Sequence, residues 1–294
     1  MAELFEPSNP LSMPFECFTY DSGLQPFPVR AHRHYFAELL LVREGTMLMG
    51  TDHAEYPVHS GEAFLVFPNE THAISSPEEA GVLYDVIKMD LGQFSDNPAY
   101  APELSTVMEE AARQHATPWF SAESVHEMGL AEQIGACIRE VGQMSFGYDL
   151  MIRSRLYMVL MQILREWMRE GFKIRQRIFS SELHTSISSV TSYIEQHLRE
   201  TLKVEELAAF CGMSYPAFSR KFRAMYGISC KDYIEQVRVA RVEHFLLFTG
   251  CELNYICQET GYADCSHMIR EFRRLRGTTP ARFRASHRRE EIGL

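Results

Sequence analysis

The spacing of apolar positions changes character along the chain. Between residue 15 and about residue 95 the apolar residues come in short runs rich in β-branched and aromatic side chains, such as ECFTY, ELLLVREGTMLMG, GEAFLVFP and GVLYDVIKMDL. Gly, Pro and Asn punctuate them, so the runs predict short strands, and several at close spacing predict a barrel or sandwich. From about Pro98 the period lengthens. SAESVHEMGLAEQIGACIREVGQM places apolar residues three and four apart, as an amphipathic helix does. The next segment, YDLMIRSRLYMVLMQILREWMREG, carries one stripe of Leu156, Leu160, Ile163, Leu164 and Trp167. It adds Met151, Met158, Met161 and Met168 elsewhere. A helix apolar most of the way round needs two surfaces to bury against. Packing on the barrel and a neighbouring helix is one reading and a homodimer interface is the other; they are compatible. The polar passage REGFKIRQRIFSSELH then reads as a linker.

The last hundred residues contain a repeat. With Ser214 and Asp264 as equivalent origins, the same offsets pair Phe218 with Met268, Arg220 with Arg270, Phe222 with Phe272, Arg223 with Arg273 and Gly227 with Gly277. Each unit begins with a short helix, Glu205 to Phe210 or Tyr255 to Glu259, followed by Gly212 or Gly261. Glycine tolerates the left-handed backbone that ends a helix and turns the chain. Ser214 and Asp264 are then expected to cap a second helix through their side-chain oxygens. That helix buries Phe218 and Phe222, or Met268 and Phe272. Its outward stripe holds Tyr215, Pro216, Ser219, Arg220 and Arg223 in the first copy, and Cys265, Ser266, His267, Ile269, Arg270 and Arg273 in the second. Helix, glycine turn and capped helix with exposed donors is the helix-turn-helix pattern, whose second helix enters the major groove of DNA.

Charge sharpens this picture. The net charge of −10 is an average over unlike parts. From Ser181 onward 16 basic residues face 14 acidic ones, whereas the preceding part carries 13 against 25. Between Arg270 and Arg289 eight arginines face the single acid Glu271. Phosphate contact needs local positive charge, not a positive total. Seven scattered cysteines without a C-x-x-C pair predict free thiols. No apolar run has bilayer length and the first residues have no signal character, so a cytoplasmic location without membrane association is expected.

The segment from about Ser189 to Arg284 resembles the DNA-binding domain of the AraC/XylS family of transcription regulators. VEELAAFCGMSYPAFSRKFRAMYGIS, VRVARVEHFLL and ICQETGYADCSHMIREFRRLRGTTPARFR carry the resemblance. The second unit's Gly-Tyr-Ala-Asp opening and Gly-Thr-Thr-Pro-Ala-Arg-Phe-Arg close are its most specific parts, with Met268 standing where an aromatic is more usual. The resemblance implies base reading by Pro216, Ser219 and Arg220, and by Cys265, Ser266, His267, Ile269 and Arg270. Arginine pairs bidentately with guanine, so Arg220 and Arg270 lead for sequence readout. Arg223, Arg273 and Arg274 read as phosphate contacts.

In the first half, His32, His34, Glu38 and Gly45 fill a pattern similar to the first motif of cupin barrels. GEAFLVFPNETH, ending at His72, resembles the second, although Glu70 replaces a glycine and His72 sits one residue early. On one extended strand His32, His34 and Glu38 share a face. Inside a barrel they are expected, with His72, to contact a small-molecule effector, and Tyr20, Arg30 and Tyr35 are further candidates. A sugar, or another polyhydroxy or carboxylate-bearing metabolite, suits those donors and acceptors. No metal or other cofactor is expected; if a metal does bind, His32, His34, Glu38 and His72 are its candidate ligands. A metal-dependent cupin enzyme fused to a DNA-binding module remains the alternative.

The expected architecture is therefore a two-domain α+β chain. Residues 1–95 form a cupin-like sensing barrel, 96–173 a helical dimerisation region and 174–187 a linker. Residues 188–294 form an all-α domain with two helix-turn-helix motifs. The expected function is a non-enzymatic, activating transcription regulator: a homodimer that binds operator DNA and contacts RNA polymerase.

Overall fold

A computed structural model describes residues 15–77, 81–94, 104–174 and 187–291. The expected linker at 174–187 lies, but for its two ends, outside the described residues. The chain divides into two compact units, Met1–Leu183 and His184–Leu294.

Among the described residues of the first unit, nine strands form two antiparallel sheets. They are β1 (Phe15–Asp21), β2 (Val29–His32), β3 (Ala37–Glu44), β4 (Thr46–Thr51), β5 (Glu55–His59), β6 (Ala63–Val66), β7 (His72–Ser75), β8 (Leu83–Met89) and β9 (Trp119–Phe120). One sheet runs β1-β8-β3-β6-β9 and the other β2-β7-β4-β5. Among the described residues no ladder joins the two, so the sheets face each other as a sandwich without closing, an arrangement compatible with the expected cupin-like barrel. Gly45, at φ +80°, lies between β3 and β4 and passes the chain from one sheet to the other.

Between the sheets Leu40, Val42, Met47, Met49, Val58, Phe64, Val66, Ile74, Tyr84 and Val86 make one apolar core. Leu39 and Leu41 point to the opposite face of β3 and are also buried. A strand covered on both faces reads as a continuous apolar run, which is why LLLV does not alternate with polar residues.

Among the described residues four α-helices accompany them: α1 (Leu104–Arg113), α2 (Ala122–Glu127), α3 (Leu130–Gln143) and α4 (Tyr148–Arg169). α3 packs on β1, β8 and α4. In α4 the expected stripe is buried, ending at Trp167, which stacks near Phe67 and Phe120 and donates its indole N–H to the Thr117 carbonyl at 2.8 Å. Met151, Met158, Met161 and Met168 are exposed, together with Leu150. None of the helices among the described residues is long and apolar enough to cross a membrane.

The second unit is helical: α5 (Ile187–Gln196), α6 (Val204–Phe210), α7 (Tyr215–Tyr226), α8 (Cys230–Phe248), α9 (Leu253–Glu259), α10 (Cys265–Arg276) and α11 (Pro280–Glu291). α8 packs against α7 on one side and α9, α10 and α11 on the other. Its N-terminus is capped by Ser229, whose hydroxyl accepts from the Asp232 amide at 3.1 Å. All seven cysteines are free thiols.

Candidate functional site

The two halves of the repeat fold alike. Gly212 (φ +63°) follows the end of α6 by two residues and Gly261 (φ +74°) that of α9, each leading into the second helix of its unit. Phe218 and Phe222 are fully buried under α7, where Phe222 packs tilted against Tyr226 and meets Tyr233 of α8. Met268 and Phe272 are equally buried under α10, with Val239, Val242, Leu246, Ile256 and Tyr262.

The caps differ. Asp264 accepts from the His267 amide at 2.8 Å, as expected. Ser214 has the extended backbone of a cap but makes no side-chain hydrogen bond. Pro216, in the first turn, has no N–H to give, which removes one of the amides such a cap serves.

The outward faces carry the expected cations. Arg220, Arg223, Arg270, Arg273 and Arg274 are exposed, as are Tyr215, Pro216 and Ser266, while Ser219, Cys265, His267 and Ile269 are half-buried. Cys265 and Ile269 lean on the core beneath α10, and the Cys265 thiol lies 3.1 Å from Asn254 Oδ1 on α9. Glu271 gathers its neighbours, accepting from Arg274 Nε at 2.7 Å with Arg270 Nε at 3.8 Å and His267 Nε2 at 4.0 Å. Two arginines of the dense segment serve the fold instead. Arg276 holds Glu243 of α8 at 2.7 Å, and Arg284 donates to the Cys251 carbonyl at 2.7 Å. The side chains of Arg288 and Arg289 lie outside the described residues.

In the first unit His32, His34, Glu38 and His72 converge, although not along one strand. β2 ends at His32, residues 33–36 leave the ladder, and Glu38 belongs to β3 of the other sheet. His32 pairs across the ladder with His72 of β7. The cluster thus bridges the two sheets at one end of the sandwich. His34 and His72 are fully buried, Glu38 nearly so, and His32 half-buried. Ring centroids of His72 lie 4.3 Å from His32 and 4.8 Å from His34. Glu38 Oε2 stands 3.0 Å from His34 Nε2 and 3.2 Å from His72 Nε2.

Burial alone would raise the Glu38 carboxyl, but the imidazoles of His34 and His72 and the ammonium of Lys88 hold it well below the usual carboxylate range. Burial would depress His72, yet the Glu38 carboxylate keeps its imidazole above the ordinary value.

The remaining expected contacts stand apart from this cluster. Tyr20 stacks on Tyr84, which pairs with Val42, four positions along β3 from Glu38. Arg30 is exposed, and only its carbonyl reaches His32. Tyr35 is buried edge-on against Phe36. Two further side chains adjoin the cluster, of which Lys88 was not singled out in the sequence. Lys88 sits directly across the ladder from Glu38, and Phe36 stacks on His34 at 3.7 Å. A cavity of about 390 Å³ beside the β6–β7 connection also left no motif; Tyr56, Phe67, Asn69, Glu70, His115 and Pro118 are among its lining.

Comparison with known proteins gives a family model described as an AraC-like ligand binding domain over residues 16–160 and one described as a helix-turn-helix domain over residues 207–286. The chain is 34% identical over 105 residues to the bifunctional transcriptional activator/DNA repair enzyme AdaA of Bacillus subtilis, a match to 36% of this chain and 50% of AdaA. It is 21% identical over 261 residues to the HTH-type transcriptional activator RhaS of Escherichia fergusonii, covering 86% of each. Among solved structures it matches the DNA-binding domain of the global transcriptional factor AdpA in complex with a target DNA. That match has 27% identity, covers 37% of this chain and 97% of that one, and has a TM-score of 0.35.

Proposed function

The chain belongs to the AraC family of DNA-binding transcription regulators, and from that premise we propose that a small molecule bound at the His32, His34, Glu38 and His72 end of its sandwich changes how its two helix-turn-helix units hold operator DNA. One observation carries the DNA-reading part: a duplicated helix, α7 and α10, each anchored by two buried side chains and each presenting exposed arginines at matching positions. Arg220 and Arg270 are assigned to guanine edges. Pro216, Ser219, Cys265, Ser266, His267 and Ile269 line the same groove face. Tyr215, Arg223, Arg273 and Arg274 contact the backbone. The 19-residue α8 is about 28 Å long at ~1.5 Å per residue, close to the ~34 Å between successive major-groove faces.

The effector is a polyhydroxy or carboxylate-bearing metabolite, a sugar among them, entering past the half-buried His32. Tyr20, Arg30 and Tyr35, which stand apart from the histidine cluster, are secondary candidates for contact with the effector. Differential affinity for two arrangements of the dimer is what converts occupancy into altered operator binding. Two copies join through the exposed methionine face of α4, and operator-bound protein contacts RNA polymerase as an activator in the cytoplasm. No catalytic step is assigned.

The deciding experiment is operator binding by Arg270→Ala. The expected result is a loss of about 1–3 kcal/mol on the cognate operator with little change on random DNA. An equal loss on both would make Arg270 a backbone contact.

A further inference from the structure

We propose that the cavity beside the β6–β7 connection binds a small organic ammonium ion, an amine carried on an apolar or aromatic body, as a second ligand besides the effector. Its volume of about 390 Å³ falls within the ~300–1,000 Å³ usual for small-molecule sites. Three segments of the first unit wall it: the β4–β5 turn, the β6–β7 connection and the chain running from the end of α1 to β9.

Each wall is fixed by hydrogen bonds of its own, so the cavity is preformed. Thr51 Oγ1 accepts from the His53 and Ala54 amides, both at 3.2 Å. The Phe67 amide donates to Glu70 Oε2 at 3.1 Å, and the Glu70 amide returns a bond to the Phe67 carbonyl at 3.1 Å. The Pro118 carbonyl accepts from the Leu65 amide and the Thr117 carbonyl from the Trp167 indole, both at 2.8 Å. Asn69 (φ +64°) and His115 (φ +56°) hold left-handed backbone in two of the walls, a kind of strain that gathers at ligand sites.

The lining selects the charge of the occupant. Asp52 and Glu70 contribute two carboxylates and His53 and His115 two imidazoles, with no lysine or arginine. Glu70 stands where the resembled cupin motif has a glycine, so this second acid is the chain's own departure from that motif. Burial holds the Glu70 carboxyl above its ordinary value and the neighbouring Asp52 adds to this, against the Phe67 amide and the imidazoles of His72 and His53. An ammonium between the two carboxylates relieves both effects through charge-assisted hydrogen bonds, whereas an anion would meet two like charges. Tyr56 and Phe67, backed by Phe64 at 5.1 Å and Trp167 at 5.7 Å, offer aromatic surface that accepts an apolar body and attracts a cation. A bare metal ion suits the cavity less well, because among the described residues these acids and imidazoles do not gather as three or more ligand groups.

The same connection reaches the histidine cluster. The Asn69 amide donates to the His34 carbonyl at 2.7 Å, and the Glu70 carbonyl accepts from His72 Nδ1 at 3.1 Å. An occupant that draws Glu70 toward itself therefore moves the turn to which two histidines of the proposed sensing cluster are bonded, and this couples the two ligands.

Amine uptake holds whether or not the cluster senses, so the two readings are tested apart. Full-length chain is titrated by calorimetry with phenethylamine, phenethyl alcohol and phenylacetate, which put a positive, a neutral and a negative end on one aromatic body. One saturable site per chain is expected for the amine, at least ~10-fold tighter than for the alcohol, with no uptake of the acid. Glu70→Gln, whose amide oxygen still accepts from Phe67, and Asp52→Asn, in an exposed turn, are each expected to weaken the amine at least ~5-fold and leave the alcohol unchanged. Glu55→Gln, at an exposed position of β5 outside the lining, changes neither. Absence of a saturable site for the amine, equal affinity for amine and alcohol, or amine uptake that survives both Glu70→Gln and Asp52→Asn overturns the proposal. In NMR of a chain with isotope-labelled histidines, the amine is expected to shift the His72 ring signals, and signals unmoved at saturation overturn the coupling. Operator affinity bears only on the proposed sensing, so a cluster that senses nothing leaves the amine site standing.

Discussion

At the residue scale, the two glycines that follow the first helix of each unit face different constraints. Both Gly212 and Gly261 have positive φ, which costs an L-residue about 1–2 kcal/mol. A Cβ on Gly212 would meet nothing within 4 Å, whereas one on Gly261 would fall 1.8 Å from the Leu198 carbonyl oxygen. Gly261→Ala must therefore push the α9–α10 turn away from the α5–α6 connection at Leu198. Thermal unfolding is expected to show Gly212→Ala losing about 1–2 kcal/mol and Gly261→Ala roughly 3 kcal/mol or more. Equal losses would mean that backbone conformation alone decides both. The sequence showed that both positions are glycine after a short helix. It gave no sign of the carbonyl behind one of them, because Leu198 is 63 residues away along the chain.

At the element scale, α4 shows how periodicity separates from partner. Its buried stripe was legible because Leu156, Leu160, Ile163, Leu164 and Trp167 recur at helical spacing, and the sheet and α3 supply the surface they bury. Met151, Met158, Met161 and Met168 follow a seven-residue pattern on another face and remain exposed. A second copy of α4 is their proposed apolar cover. Met158→Lys with Met161→Lys is expected to shift the chain from dimer to monomer in light scattering while leaving its melting temperature within about 2 °C, since neither side chain is in the core. A dimer that persists would place the interface elsewhere. The strand elements were less legible. His32, His34 and Glu38 share a parity, but residues 33–36 break the ladder and hand the chain to a different sheet.

At the scale of the whole molecule, the acidic and near-neutral parts of the chain divide the electrostatic work. The positive charge available to phosphate is concentrated on exposed arginines of α7 and α10, while Arg276 and Arg284 are consumed in holding α10 and α11 to the rest of their unit. Each neutralised phosphate contributes about −0.9 to the slope of log K against log salt. Arg223→Ala is expected to weaken cognate and random DNA alike and to reduce that slope by about one. An unchanged slope would show that Arg223 touches no phosphate.

The sequence by itself determined the class of the molecule. The 50-residue repeat, its glycines, its buried pairs and its exposed arginines are local or periodic features, and local physics suffices to read a capped helix, a turn and an amphipathic face. Only the tertiary structure decided the histidine cluster. Its members come from β2, the connection after it, β3 and β7, and three of them are oriented by backbone carbonyls that no side-chain pattern encodes. Lys88 reaches Glu38 through a strand pairing 50 residues long in sequence separation, and Cys265 and Ile269 are drawn toward the core by the way α10 settles on α9. Which side chains share a face follows from backbone period; which faces meet, and at what distance, follows from how the elements close over a common core.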